Sequence, residues 1–288
     1  MAKAPRTAVV TGVSTGIGRA ICTQMINDGW QVFGSVRKEA DAAAARDSLG
    51  GAFTPLVFDV TDGPAVLAAA EQVSDALAGG TLGGLVNNAG IAIAGPARYV
   101  SIDELHTQFD VNVYGVVRTS QAFLPLLGAD HDRSGKPGKI INISSVSGRF
   151  SVPFMSPYSM SKYAVEALSD AMRAELLLHG IDVVIVEPGP VKTPIFEKTE
   201  QLDFSRYENT EYATALEKVI KSTQSLGDSG LEPDDIGNLI VEIFNDASPK
   251  TRYPILKNKF SRWTLPRLLP TRMVDRALAR RMGMRKRK

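Results

Sequence analysis

Short apolar runs alternate with longer helical patterns along most of this chain, and that alternation leaves few folds open. TAVVTG (7–12) reads as a buried strand and leads into helical GRAICTQMIND. Strand-like runs recur as QVFGSV (31–36), FTPLVFDV (53–60), GGLVNNAG (83–90), GKIINISS (138–145), DVVIVEPG (182–189) and RYPIL (252–256). Helical patterns fill 39–49, 62–78, 101–127, 157–179 and 233–246 between them. Runs apolar on both faces belong to strands covered by helices on both sides, and strand–helix alternation implies parallel pairing. The predicted class is therefore α/β, a doubly wound seven-stranded parallel sheet with helices on both faces. Residues 1–256 read as one domain, with no internal repeat and no linker. Ligands bind at the carboxyl ends of such strands, which makes the insertion at 190–231, after the sixth strand, a candidate substrate lid.

At 288 residues, 44% apolar and 22% charged, the chain has the composition of a globular protein with a substantial core. Its one cysteine, Cys22, excludes an internal disulfide and falls at an apolar helical position, as a buried thiol would. MAKAPRTAVV has no signal-peptide apolar region, and no run reaches membrane-spanning length, so a cytoplasmic location is expected. Charge is unevenly spread. Residues 257–288 hold 12 basic residues and one acid, Asp275, whereas the first 256 residues hold 21 basic and 30 acidic ones. The tail LLPTRMVDRALARRMGMRKRK reads as a basic amphipathic helix starting near Pro270, with Met273, Val274, Ala277 and Leu278 on one side. Such a helix docks on its own domain or a partner subunit, lies on an anionic membrane, or binds nucleic acid. The absence of stacking aromatics speaks against the last.

SPYSMSK (156–162) sets Tyr158 and Lys162 four residues apart, on one face of a helix. An ammonium beside a phenol favours the phenolate, so the pKa of Tyr158 is expected to fall from its ordinary value near 10. That would make Tyr158 a proton donor or acceptor at ordinary pH. TGVSTGIG (11–18) joins the first strand to the first helix with glycines at 12, 16 and 18. Glycine permits the tight turn, and the helix start offers free N–H groups to a pyrophosphate. His106, His131 and His179 lack ligand spacing and the carboxylates do not cluster, so no metal is predicted.

TGVSTGIG, NNAG (87–90), the serine of ISSVSG, PYSMSK and PG (188–189) occur in order within residues 6 to about 194. Together they resemble the short-chain dehydrogenase/reductase family, and the glycine spacing is similar to its compact single-domain branch. The resemblance implies a Rossmann-like fold and an oxidoreductase interconverting a secondary alcohol and a ketone, or a primary alcohol and an aldehyde. It implies Tyr158 as general acid/base, Lys162 lowering its pKa and holding the nicotinamide ribose, and Ser145 hydrogen-bonding the carbonyl oxygen. Ser144 competes with Ser145, but Ser145 has the family's spacing to Tyr158. Asn112 matches the asparagine supporting a water-linked proton path to the lysine; it would otherwise mark a helix kink.

For the cofactor, the resemblance implies contacts from Gly12, Ser14, Thr15, Gly16, Ile17 and Gly18. Asp59 would bond the adenine amino group with Val60 packing beside it, or Asp59 would simply cap a turn. Asn88, Ala89 and Gly90 would lie near the cofactor, while Asn87 and Thr11 tie adjacent strands. Pro188, Gly189, the Val191 backbone and the Thr193 hydroxyl would hold the nicotinamide carboxamide. The position that carries an acid in NAD enzymes is Val36, followed by Arg37 and Lys38. With Ser14, Arg37 favours NADP(H) over NAD(H), although Thr15 stands where many NADP-preferring relatives are basic, and Arg37 could be a solvated cation.

Val152, Phe154, Met155, Ile195 and Phe196 could wall an apolar pocket, and the chain looks closest to steroid and retinol dehydrogenase-like members. A lipophilic alcohol or ketone follows as the expected substrate. The helices at 101–127 and 157–179 resemble the pair through which relatives dimerise, so a homodimer or homotetramer is expected. The competing reading is a catalytically silent NADP(H)-binding sensor or scaffold. The intact set of Asn112, Ser145, Tyr158 and Lys162 argues for the enzyme, since a pure binder has no need of all four.

Overall fold

Val9, Leu85, Ile140 and Val183 point to one face of a sheet, and their chain neighbours Ala8 and Val10, Val86, Ile141 and Val184 point to the other. All are fully buried, which explains why these strands show no polar side in the sequence. In this computed structural model, describing residues 6–193, 204–219 and 229–284, the strands are β1 (Arg6–Val10), β2 (Trp30–Val36), β3 (Phe53–Val57), β4 (Gly84–Asn87), β5 (Lys139–Ile143), β6 (Asp182–Pro188) and β7 (Arg252–Ile255). They form one parallel sheet in the order β3-β2-β1-β4-β5-β6-β7. This is the expected Rossmann-like arrangement.

Helices α1 (Gly16–Asn27), α2 (Glu39–Leu49) and α7 (Pro233–Asn245) contribute to the core on one face. On the other lie α3 (Gly63–Leu77), α5 (Gly115–Phe123) and α6 (Ser156–Glu175). Each fully buried Val, Leu or Ile stabilises the fold by roughly 1.5–3 kcal/mol relative to exposure, so two such layers are the main support of the sheet. Cys22 is buried in the first layer, where desolvation raises its thiol pKa strongly and leaves it unreactive.

The strand order reverses between β1 and β4, which opens a crevice at their carboxyl ends. Helix α4 (Ile102–Phe109) runs through a π-helical turn at Asp110–Tyr114 into α5. Its start is fixed by a capping box: Ser101 accepts from the Glu104 amide at 3.1 Å, and Glu104 accepts from the Ser101 amide at 2.8 Å. The pattern at 101–127 predicted one helix; its end comes at Gly128, whose φ of +110° breaks the helical run. Among the described residues, no helix is long and apolar enough to cross a membrane.

Candidate active site

The glycine turn after β1 is held open from beneath. Asn88 donates through Nδ2 to the carbonyls of Thr11 (2.9 Å) and Gly12 (3.1 Å). The Thr11 hydroxyl accepts from the amides of Asn88 and Ala89, both at 2.9 Å, and the Ser35 hydroxyl accepts from the Gly12 amide at 2.9 Å. A Cβ at Gly18 would stand 2.2 Å from the Gly12 carbonyl oxygen, so only glycine fits where helix meets turn. Thr15 occupies the N-cap of α1 without a side-chain capping bond, and the first turn contains no acid. Its amides are therefore free to meet an anion, with the exposed Ser14 and Thr15 hydroxyls beside them.

Across the crevice, Asn87 ties β4 to its neighbours. It donates to Asn142 Oδ1 at 2.8 Å and to Ser120 Oγ at 3.1 Å, and accepts from Thr119 Oγ1 at 2.6 Å. The expected tying role of Asn87 and Thr11 is thus visible in the bonds. Asp59 Oδ1 accepts from the amide and hydroxyl of Thr61 at 3.0 and 2.8 Å, which is the turn-capping alternative. Val60 is buried against Gly115 at the start of α5. Arg37 is exposed directly after β2, and Val36 is buried, so the strand ends in a cation and carries no acid.

Tyr158 and Lys162 lie on the inner side of α6. The Tyr158 side chain is half-buried and hydrogen-bonds Ser145, which sits just past β5. Ser145 Oγ also accepts from the Ser147 amide at 3.0 Å and lies 3.5 Å from the Pro188 carbonyl. Ser144 Oγ instead is buried without a partner, beneath Gly148. The two serines therefore differ in their contacts, Ser145 with Tyr158 and Ser144 with no polar partner. The expected drop in the Tyr158 pKa is not what the structure gives. Burial raises it, and the Ser145 hydrogen bond only partly opposes this. Lys162 Nζ lies 5.7 Å from the phenol ring centre and donates to the Ile143 carbonyl at 2.8 Å. Burial also lowers the lysine's own pKa to about 8, against the opposing pull of Glu166 one turn on.

Asn112 sits in the π-helical turn, 1% exposed. Its Oδ1 accepts from the Ile91 amide at 2.9 Å, while Nδ2 donates to the Ile91 carbonyl (3.0 Å) and to Ser161 Oγ (3.1 Å). No direct bond joins it to Lys162. Gln108, one turn earlier, clamps the same segment, donating to the Ile91 carbonyl at 2.9 Å and accepting from the Ile93 amide at 2.7 Å. The sequence reading missed Gln108. Two amide side chains at i and i+4 on an otherwise amphipathic helix were the available signal.

A second group missed from sequence lies behind Lys162. Glu166 and Glu187 are 3% and 1% exposed, and Arg252 reaches them at 3.0 and 3.7 Å. Arg252 also pairs with Asp170. One oxygen on each glutamate has no hydrogen-bond partner. Desolvation first, and the neighbouring Glu166 second, push the Glu187 pKa up to about 7.

Beside the Tyr158 turn is a cavity of about 730 Å³ lined by Phe109, Val152, Phe154, Ser159, Met160 and Tyr163 among others. Ser145, Tyr158 and Lys162 do not line it. Val152 and Phe154 meet the expectation of apolar walls, Met155 does not, and Ile195 and Phe196 lie outside the described residues. Phe154 has a φ of +68°, a strained conformation for a bulky side chain. On the far side of the crevice Pro188 ends β6, Gly189 donates to the Ile255 carbonyl at 2.9 Å, and Val191 is buried. Thr193, two residues on, is half-buried.

The profile of the short chain dehydrogenase family matches residues 6–203. The chain belongs to that family. It is 41% identical over 271 residues to an NADPH-dependent 3-dehydrocapnine reductase of Ornithobacterium rhinotracheale, covering 94% of this chain and 95% of that protein. It is 31% identical over 270 residues to human retinol dehydrogenase 8, covering 88% and 82%. A short-chain dehydrogenase structure from Streptomyces avermitilis shares the fold, with a TM-score of 0.75, 24% identity and coverage of 98% and 97%. This short-chain dehydrogenase is an oxidoreductase of CH–OH groups and uses a nicotinamide dinucleotide. Its residues fit that group. The turn leaves no room for a Cβ at Gly18, Gly12 has a φ of +71°, and the uncapped start of α1 faces the crevice.

Proposed function

We propose that this enzyme interconverts a ketone and a secondary alcohol, or an aldehyde and a primary alcohol, on a lipophilic substrate with NADP(H). The observation that carries the reading is the hydrogen-bonded pair of Tyr158 and Ser145 at the carboxyl end of β5, with Lys162 one turn along α6. Tyr158, its pKa raised by burial, holds its proton at neutral pH and passes it to the substrate oxygen during reduction. Ser145 donates a second hydrogen bond to that oxygen as negative charge develops. Lys162, cationic below a pKa of about 8, stabilises the phenolate left behind. Asn112 holds the Ile91 segment and orients Ser161 beside the catalytic turn. The nicotinamide supplies or accepts the hydride.

The turn amides of Gly16, Ile17 and Gly18 would hold the pyrophosphate, with Ser14, Thr15, Gly12, Asn88, Ala89 and Gly90 lining its approach. Asp59 and Val60 would meet the adenine, and Pro188, Gly189, Val191 and Thr193 the nicotinamide. Arg37, with no acid at the end of β2, supports an NADP(H) preference, as does the NADPH dependence named for the 41% identical relative. The lipophilic substrate is supported by the likeness to a retinol dehydrogenase.

NADPH and NADH oxidation across steroid, retinoid, aromatic and long-chain aliphatic carbonyls tests this reading. Faster turnover with NADPH on an apolar carbonyl is the expected result. Tyr158→Phe should bind NADPH unchanged and lose turnover by about 10²–10⁴-fold. Retained turnover would remove Tyr158 from the mechanism.

A further inference from the structure

After β7 the chain enters a π-helical turn (Phe260–Thr264), a short helix (Leu265–Leu268) and α8 (Thr271–Arg281). This segment is pinned at both ends. Trp263 is buried at one, and Met282 and Met284 pack against the cluster of Phe154, Tyr207 and Leu216 at the other. Between the pins five large apolar side chains face outward. Phe260 is 68% exposed, Leu268 74% and Met273 53%, with Leu265 and Leu269 also exposed. No residue of α8 is buried.

These side chains stand among cations. Residues 257–284 hold Lys257, Lys259, Arg262, Arg267, Arg272, Arg276, Arg280 and Arg281 against one acid, Asp275. Among the described residues, none of the eight is in an ion pair. The side expected to be apolar is split: Val274 and Leu278, with Ala279, are half-buried, while Met273 stands on the outer face of α8 with Arg276 and Arg280 by helical spacing. Four further cations, Arg285, Lys286, Arg287 and Lys288, follow in the sequence.

We infer that this segment is a docking surface for an anionic lipid bilayer. A bilayer meets both parts of it, since acidic headgroups neutralise the cations and the acyl boundary takes up the exposed Leu, Phe and Met side chains. A two-fold contact with a second copy would set the eight cations against eight more. A nucleic acid would leave Leu268, Leu269 and Met273 without an apolar partner. Leu256, where the segment begins, packs against Gly189, and Met284 lines the cavity beside Tyr163. Docking would therefore hold the crevice side of the sheet near the lipid, a consequence that rests on the lipophilic-substrate reading although the docking itself does not.

Vesicle flotation of the full chain with NADPH tests this, comparing phosphatidylcholine with an equal mixture of phosphatidylcholine and phosphatidylglycerol. The protein should float only with the mixture. Leu268→Ser with Met273→Ser, and separately Arg276→Gln with Arg280→Gln, should each reduce the bound fraction by about ten-fold or more. NADPH binding by fluorescence and the thermal midpoint should stay unchanged in both, readouts that hold whatever the substrate proves to be. Absence of flotation by the wild type, or flotation untouched by the Leu268/Met273 change, would overturn the inference. So would a drop in sedimentation mass in that variant, which would assign the ridge to a second copy, or tighter binding to a duplex oligonucleotide than to the vesicles.

Discussion

Glu187 shows how a single residue acquires a property no local pattern predicts. In the strand it follows four buried Val and Ile residues and precedes Pro188, so its carboxyl is taken out of water by packing alone. Its folded pKa of about 7 lies above the ordinary 4.5, so the folded state holds the proton to higher pH than the unfolded chain does. Stability contributed by this group is therefore present below about 4.5 and is lost as pH rises through about 7. Glu187→Gln should leave stability nearly unchanged at about pH 5 and raise it by roughly 1–3 kcal/mol at about pH 8, measured by urea unfolding. An equal difference at both pH values would mean that the proton on Glu187 is not what limits stability. The same desolvation raises the pKa of Tyr158, and what opposes it is the hydrogen bond with Ser145 and not the lysine one turn away. Adjacency on a helix sets which groups meet, whereas burial sets which protonation state they keep.

At the scale of elements, the π-helical turn between α4 and α5 carries the Asn112 side chain, and Gln108 and Asn112 together fasten the Ile91–Ile93 strip that follows β4. Asn112→Ala would leave the Ile91 amide without its acceptor and free Ser161 on α6. We expect it to cost about 1–3 kcal/mol of stability and to lower turnover more than NADPH affinity, read by thermal melting and by separate binding and rate measurements. A variant that melts normally but loses turnover would place Asn112 in proton transfer alone. Strand and helix existence was legible along the chain because short apolar runs alternate with longer helical patterns. All seven expected strands are present, and 39–49 matches α2 to the residue. Boundaries were less so. FTPLVFDV read as a strand to 60, but β3 ends at Val57, because the pairing with β2 ends where β2 does, at Val36.

At the scale of the whole molecule, Tyr114, Met160 and Tyr163 are each about half exposed on the turn before α5 and on α6, helices whose inner faces are buried. Large side chains left outside on such a helix pair suit a subunit interface, so sedimentation should give a dimer or tetramer, and Tyr163→Asp should shift it toward monomer. An unchanged mass would move the interface elsewhere. The sequence by itself determined the order of strands and helices, the glycine turn and the Tyr158–Lys162 pairing, because each rests on residues within a turn or two of one another. Only the tertiary structure decided the rest. The meeting of Glu166 with Arg252 joins residues 86 positions apart, and the Gln108 clamp, the contact of Ser145 with Tyr158, and the raised pKa of Tyr158 likewise depend on which elements pack together. Burial is a property of the assembled sheet and helices, and no single stretch of chain carries it.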